Sequence, residues 1–154
     1  MSGCCPGCCG SCGPRGGGSM ADPVRTLRAL ARVTRRHGPL GLVVVAWTLL
    51  ACRRVRRQLA RGGLDAVRLP APPPGGTDAL VRRALGRGGG NCLESALVLQ
   101  RWFARRRVAR TVVIGVSAPG AGFHAHAWLD GDPDPHQHEL GEILRRPVPS
   151  AWLL

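Results

Sequence analysis

Hydrophobic residues in the first half of the chain recur at the spacing of α-helices. From Pro23 they fall on one helix face, and Asp22, just before it, is a candidate N-cap. The apolar positions of this face are Val24, Leu27, Leu30 and Ala31. The pattern predicts a first helix that ends near Gly38 and a second, largely buried helix over residues 40–59.

Glycine and proline then divide the chain into shorter elements. The stretches 62–63 and 70–76 predict an irregular connection, which is followed by a short helix over residues 78–85. A glycine-rich approach ends at Asn91, a favoured N-cap residue, and the apolar positions of residues 92–106 again have the helical period. This segment is the clearest helix in the sequence.

Further along, the hydrophobic period changes from 3.6 to two, which is the period of a β-strand. Residues 111–116 are rich in β-branched side chains, and residues 122–129 alternate strictly between two faces. A turn over residues 130–135 leads to a predicted third strand over residues 136–140. Helices followed by strands place the chain in the α+β class, with length for one domain.

The chain carries a formal net charge of +13, which by itself would suggest an anionic partner such as nucleic acid. All 22 basic residues are arginine, however, and they are spread along the chain in pairs and triplets. No aromatic-interleaved or groove-reading motif accompanies them. We therefore expect no nucleic-acid partner and attribute the arginine content to a compositional bias.

Five of the seven cysteines lie at or before Cys12, which leaves Cys52 and Cys92 in the part with folded character. Residues 1–19 are otherwise mostly glycine, serine and proline, so we predict that they are disordered, and Met20 is an alternative start site. Two Cys-x-x-Cys pairs in this segment allow a zinc or redox site as the alternative. The sequence has neither a disulfide framework nor a signal peptide, which predicts a cytoplasmic location.

The most apolar segment, residues 38–52, carries no charge and is flanked by arginine pairs on both sides. A helix needs about 20 apolar residues to cross a bilayer, so this segment is too short to span one comfortably. It predicts a buried helix first and a helix in peripheral contact with a membrane second. A non-catalytic, membrane-associated or scaffold protein is therefore one alternative for the chain.

Cys92 follows the predicted N-cap Asn91 and is thus expected to be the first residue of its helix. Unpaired backbone N–H groups and the positive end of the helix dipole favour the thiolate at that position. The same N–H groups can stabilise the oxyanion that forms when a thiolate attacks a carbonyl. Cys92 is a candidate nucleophile, and a small buried hydrophobic residue is the alternative.

A thiolate nucleophile needs an imidazole that forms an ion pair with it and later protonates the leaving amine. His124 and His126 alternate with apolar residues on the predicted strand 122–129, so both point to one face together with Trp128. The spacing does not choose between the two histidines.

The third residue of such a site depends on how the second and third strands pair. If they form a hairpin about the turn 130–135, Glu139 faces His126 and can orient it. A register shifted by one residue would instead create a four-histidine metal site. Its members would be His124, His126, His136 and His138. We favour the arrangement with Glu139, because a metal site would not explain why Cys92 lies at the start of a helix.

Three blocks of the sequence, residues 91–99, 112–116 and 123–129, resemble the transglutaminase-like leader peptidases of lasso-peptide biosynthesis. The similarity extends over residues 80–144. It implies a transglutaminase/papain-like α+β fold, in which amino-terminal helices precede a cysteine-bearing helix that packs on a small antiparallel sheet.

The resemblance also implies site residues. Cys92 matches the catalytic cysteine of that family, and His126 rather than His124 matches the histidine of its His-Ala-Trp motif. The family's third member is an aspartate shortly after the histidine. Asp134 is the candidate in that neighbourhood, and Glu139 remains our first choice.

The function implied by the resemblance is removal of the leader from a ribosomally made precursor peptide by a cysteine peptidase without a cofactor. Two partners besides the precursor are implied, a separate leader-recognition protein and an ATP-dependent macrocyclase. Residues 78–154 would form the catalytic core, and residues 20–77 a helical segment with a proline-rich connection. A zinc-binding protein that uses histidine and cysteine ligands is the remaining alternative.

Overall fold

The computed structural model describes residues 23–117, 123–135 and 137–153. The predictions that concern residues outside these ranges are the disordered segment 1–19, the Asp22 cap and the position of His136. The described chain contains three α-helices followed by three β-strands, with two short 3-10 turns. The α+β class is therefore confirmed.

The helices come first: α1 (Pro23–Gly62), α2 (Asp78–Gly88) and α3 (Cys92–Arg105). Helix α1 contains the predicted break as a kink, because Gly38 has φ 65 and ψ −173 and Pro39 follows it. A positive φ favours glycine, and the proline disfavours helical geometry in the residue before it.

Both later helices begin with a side-chain cap. The Thr77 hydroxyl accepts a hydrogen bond from the N–H of Leu80 at 3.3 Å. The Asn91 side chain accepts from the N–H of Glu94 at 2.8 Å, and the Glu94 carboxylate accepts from the N–H of Asn91 at 3.3 Å. This reciprocal capping box confirms Asn91 as the cap and makes Cys92 the first residue of α3.

The strands are β1 (Val112–Ser117), β2 (Ala125–Leu129) and β3 (Leu140–Arg146). They form one antiparallel sheet in the order β2-β1-β3, so β1 is central. Strands β1 and β2 confirm the first two predicted strands, except that residues 123 and 124 lie before β2 and not within it. Helix α3 contacts both of these strands as well as α1 and α2, which places it in the middle of the fold.

The predicted third strand is wrong in its bounds and in its partner. Residues 137–139 form a turn, and β3 pairs with β1 instead of β2. Gly115 on the central strand consequently has His126 as its partner on one side and Glu142 on the other. The connection 130–139 is longer than the about two to five residues of a tight hairpin, which lets the chain cross to the far side of β1.

One hydrophobic core joins the three helices to the sheet. Its fully buried apolar side chains include Trp102 and Leu97 from α3, Val44 from α1, Val81 from α2 and Val112 from β1. The helical segment before residue 78 thus shares its core with the rest of the described chain.

One helical stretch among the described residues, Ala31–Gly62, is long and apolar enough to cross a membrane by length and composition alone. A core helix of a water-soluble protein passes the same test. Less than half of the most apolar part of this stretch is buried, however, so much of the apolar surface of the helix is exposed in the described chain.

A buried carboxylate ties α1 to the start of α3. Glu94 is only 3% exposed, and it accepts hydrogen bonds from Arg56 Nε and Nη2 at 2.8 and 2.9 Å. The Cys52 thiol donates to the same carboxylate at 3.4 Å. Gly90 lies so close that a Cβ there would be 2.7 Å from the Cys52 sulfur. Through Glu94, the cap at Asn91 is linked to a neighbouring helix.

We expect Arg56→Met to destabilise the fold, because Glu94 would retain a buried charge without its main partner. The free energy of unfolding should fall by about 1–2 kcal/mol, since Arg56 is partly exposed and water replaces some of its bonds. Urea unfolding followed by circular dichroism measures this change. The matched control, Arg57→Met, alters an exposed arginine and should cost less than about 0.5 kcal/mol. Equal losses would contradict the role of the ion pair.

Candidate active site

Cys92 lies partly exposed where the start of α3 meets β2. The backbone N–H groups of Leu93 and Ala127 lie close enough to its sulfur to lower the pKa of the thiol. Leu93 belongs to the first turn of α3, and Ala127 belongs to β2. The thiol is therefore surrounded by backbone donors of two elements, which is an environment that favours a thiolate.

Strand β2 brings His126 to Cys92. The imidazole is 5% exposed and lies close enough to the Cys92 side chain for each group to shift the pKa of the other. It stacks on Trp128, with ring centroids 6.0 Å apart and planes 18° apart. Trp128 in turn requires glycine at position 115, because a Cβ there would lie 2.9 Å from the indole. Because Gly115 of β1 has no side chain, there is room for the indole against which His126 stacks.

The second ring nitrogen of His126 is held by an aspartate. Asp134 Oδ2 lies 2.8 Å from His126 Nε2, and both side chains are largely buried. Because Nε2 is engaged by Asp134, the buried Nδ1 is the ring nitrogen that remains to interact with the Cys92 thiol. Cys92, His126 and Asp134 therefore form a continuous chain of polar contacts, in which Asp134 is the orienting carboxylate.

The electrostatics of this chain favour a thiolate–imidazolium pair. Burial alone raises the pKa of the Cys92 thiol, but the neighbouring His126 imidazole and backbone N–H groups lower that pKa overall. The interaction with the Cys92 side chain has the largest effect on the pKa of His126. Together with the contribution of Asp134, it outweighs burial and raises the pKa of His126 to about 8. Each group stabilises the charged form of the other.

The prediction that Glu139 faces His126 is wrong. Glu139 is an exposed residue of the turn before β3, and β3 lies across β1 from the strand that carries His126. Asp134, the weaker candidate in the sequence, occupies the position instead. The signal that could have found it was the resemblance, which placed an aspartate shortly after the histidine.

Three arginines hold the turn that carries the orienting carboxylate. Arg82 of α2 forms an ion pair with Asp132 at 2.5 Å. Arg145 of β3 pairs with the Asp130 carboxylate, and Arg110 donates to the Asp130 carbonyl oxygen at 2.8 Å. These contacts anchor the turn to α2, to β3 and to the segment before β1. Sequence reasoning missed this role of the arginines, because the partners are distant in the chain.

A cleft of about 440 Å³ opens beside Cys92 and His126. Its walls include Leu85, Leu99 and Leu129, and the Arg82 to Asp132 ion pair lies at its edge. A cavity of this size with an apolar wall accommodates side chains of a peptide next to the thiol.

The alternative chemistry receives no support from the described residues. His124 is exposed and lies before β2, away from the buried position of His126. Among the residues that the structure describes, no group of three or more histidine, cysteine or acidic side chains could hold a metal ion. The second thiol in the fold is unsuited to nucleophilic chemistry, because burial and the charge of Glu94 raise the pKa of Cys52 to about 12.

Residues 27–141 match the family model of the transglutaminase-like superfamily. This is well over half of the chain, and it includes Cys92, His126 and Asp134. No curated protein and no solved structure matches the chain.

We expect iodoacetamide to alkylate Cys92 much faster than Cys52 at neutral pH, because only the first thiol has a lowered pKa. Mass spectrometry that resolves each labelled cysteine measures the two rates in the full chain. A difference of about tenfold or more is expected, and equal rates would contradict the ion pair.

Two matched variants separate the carboxylates in the same assay. Asp134→Asn removes a group that raises the pKa of His126, so it weakens the ion pair and shifts the alkylation profile of Cys92 to higher pH. Glu139→Gln should leave the profile unchanged. If only Glu139→Gln shifted the alkylation profile, Glu139 and not Asp134 would be the orienting carboxylate.

Proposed function

Because the chain belongs to the transglutaminase-like superfamily, we propose that it is a cysteine peptidase that removes the leader from a ribosomally synthesised precursor peptide, as in lasso-peptide maturation. The observation that carries the proposal is the chain of contacts from Cys92 through His126 to Asp134 at the start of α3. This superfamily includes cysteine peptidases, and the sequence blocks around Cys92 and His126 support the leader-peptidase branch.

In the proposed first step, the Cys92 thiolate attacks the carbonyl carbon of the scissile peptide bond. The carbonyl oxygen becomes an oxyanion, which backbone N–H groups at the start of α3 are placed to stabilise. The His126 imidazolium then donates its proton to the leaving amine. The amine product departs, and the other part of the substrate remains as a thioester on Cys92.

In the second step, water hydrolyses the thioester. Neutral His126 accepts a proton from the attacking water, whose oxygen bonds to the carbonyl carbon. The carbon–sulfur bond breaks, the carboxylic acid leaves, and the thiolate–imidazolium pair is restored. Asp134 holds the imidazole in place through Nε2 in both steps, so its role is orientation and charge stabilisation.

The proposal includes partners and a location. The precursor peptide is the substrate, a separate recognition protein presents its leader, and an ATP-dependent macrocyclase acts on the trimmed product. We propose that all of these reactions take place in the cytoplasm. The open cleft beside Cys92 supports a peptide substrate, because its apolar wall lies next to the thiol.

We expect Cys92→Ala and His126→Ala each to lower precursor cleavage by about 10³-fold or more, because each removes a reacting group. Cleavage of a candidate precursor, supplied with its recognition protein and followed by mass spectrometry, measures this loss. His124→Ala is the matched control, since it removes an exposed histidine two residues away, and its rate should stay within about twofold. Full activity of the His126→Ala variant would contradict the proposal.

The pH profile follows from the two pKa shifts. The cleavage rate should rise with pH as Cys92 ionises, and should fall as pH rises through about 8, where His126 loses the proton that the leaving amine needs. Asp134→Asn should move the falling limb to lower pH. A rate that keeps rising well beyond this range would exclude His126 as the proton donor.

A further inference from the structure

A groove of about 580 Å³ runs along the exposed side of α1 and ends against the segment that follows this helix. The residues that line this outer groove include Trp47, Leu50, Arg53, Arg57, Arg61 and Pro70. None of them belongs to the cleft beside Cys92. The outer groove is therefore a second concave surface, separate from the candidate active site.

The basic half of the outer groove is a row of uncompensated charge. Arg53, Arg57 and Arg61 are spaced four residues apart, so they lie one above the other on the helix. All three are exposed, and within the part of the chain that the structure describes their side chains form no hydrogen bond or ion pair. By contrast, Arg54, which also lines the groove, donates to the carbonyl oxygen of Arg68, and Arg56 on the same helix pairs with Glu94. Neighbouring like charges repel, so this row favours an anionic ligand.

The other half of the outer groove is apolar. Leu50 is 62% exposed, and Val43, two turns earlier on the same face, is 50% exposed. Trp47, which lies between them in the sequence, is half-buried and also lines the groove. A ligand that fits both halves combines carboxylates with apolar side chains. A concave groove of this kind accommodates the side chains of an extended peptide, which is the ligand we consider.

We propose that the outer groove binds an acidic stretch of the leader of the peptide substrate, with its carboxylates on the arginine row and its apolar side chains against Leu50. This inference rests on the proposed peptidase function. The geometry agrees with it, because Cys52 and Arg56 on the opposite face of α1 contact Glu94, two residues from Cys92. The groove and the start of α3 thus lie on opposite sides of one helix, whose diameter is about 10 Å, and an extended part of the substrate can pass around this helix from one to the other.

A synthetic probe tests the groove without knowledge of the precursor. The probe is a fluorescein-labelled peptide of repeating Glu-Leu-Glu-Gly units, compared with the same peptide carrying Gln for Glu. Fluorescence anisotropy measures its binding to the full chain with Cys92→Ala, so that no cleavage consumes it. We expect the glutamate peptide to bind at least about tenfold more tightly than its glutamine counterpart.

Variants locate the binding. R53E/R57E should weaken it by about tenfold or more, and Leu50→Ser by about threefold. R32E/R36E is the matched control, because it makes the same charge change at the same spacing before the kink of α1 and should act within about twofold. Equal weakening by both double variants would overturn the proposal in favour of net charge alone. R53Q/R57Q replaces the first variant if charge reversal disturbs the circular dichroism spectrum.

Two further measurements separate the possible failures. Vesicles of phosphatidylglycerol and phosphatidylcholine test for a membrane: if R53E/R57E loses vesicle binding and keeps peptide binding, the outer groove is a membrane contact and the proposal is wrong. Alkylation of Cys92 in the chain with its native arginines reports on the active site. A reactive Cys92, together with no peptide binding by the Cys92→Ala chain, would refute the groove alone. An unreactive Cys92, together with intact peptide binding by the Cys92→Ala chain, would refute the peptidase.

Discussion

The buried carboxylate of Glu94 determines where the start of α3 lies. A charge removed from water is tolerated only with close partners, and Glu94 has them in Arg56 of α1 and in the capping box with Asn91. Two helices are thereby held together at one point, next to Cys92. The arrangement also distinguishes the two thiols of the described fold. Cys52 lies against the carboxylate and stays protonated, with a pKa of about 12, whereas Cys92 faces backbone donors and an imidazole that lower its pKa.

The candidate site is assembled from three elements, each fixed by its own contacts. Helix α3 supplies the thiol, β2 supplies the imidazole, and the turn after β2 supplies the orienting carboxylate. The ring of His126 rests on Trp128, and the turn is bound by arginines from α2, from β3 and from the segment before β1. Preorganisation of this kind matters because an ion pair near a reacting bond is useful only if its members do not have to rearrange.

The arginines illustrate how one residue type takes several roles in a chain with a strong net charge. Some are structural, as Arg56 is to Glu94, and some anchor the turn that carries Asp134. Others, along the exposed side of α1, have no partner within the described residues and lie beside apolar side chains that are equally uncovered. Composition alone suggested a bias without consequence. The fold separates the arginines that satisfy the chain itself from those that are available to a ligand.

Local features of the sequence were sufficient to predict the α+β class, the break at Gly38, the cap at Asn91, the first two strands, and the placement of Cys92 at a helix start. Each of these depends on the conformational preferences of neighbouring residues or on a hydrophobic period, which a sequence displays directly. The third strand and the orienting carboxylate were not determined in this way. Whether β3 pairs with β2 or crosses to β1 depends on contacts between residues far apart in the chain, and that choice moved Glu139 away from His126 and left Asp134 in its place. Only the tertiary structure could decide it, because strand pairing is settled by packing and long-range hydrogen bonds and not by the residues of the turn alone.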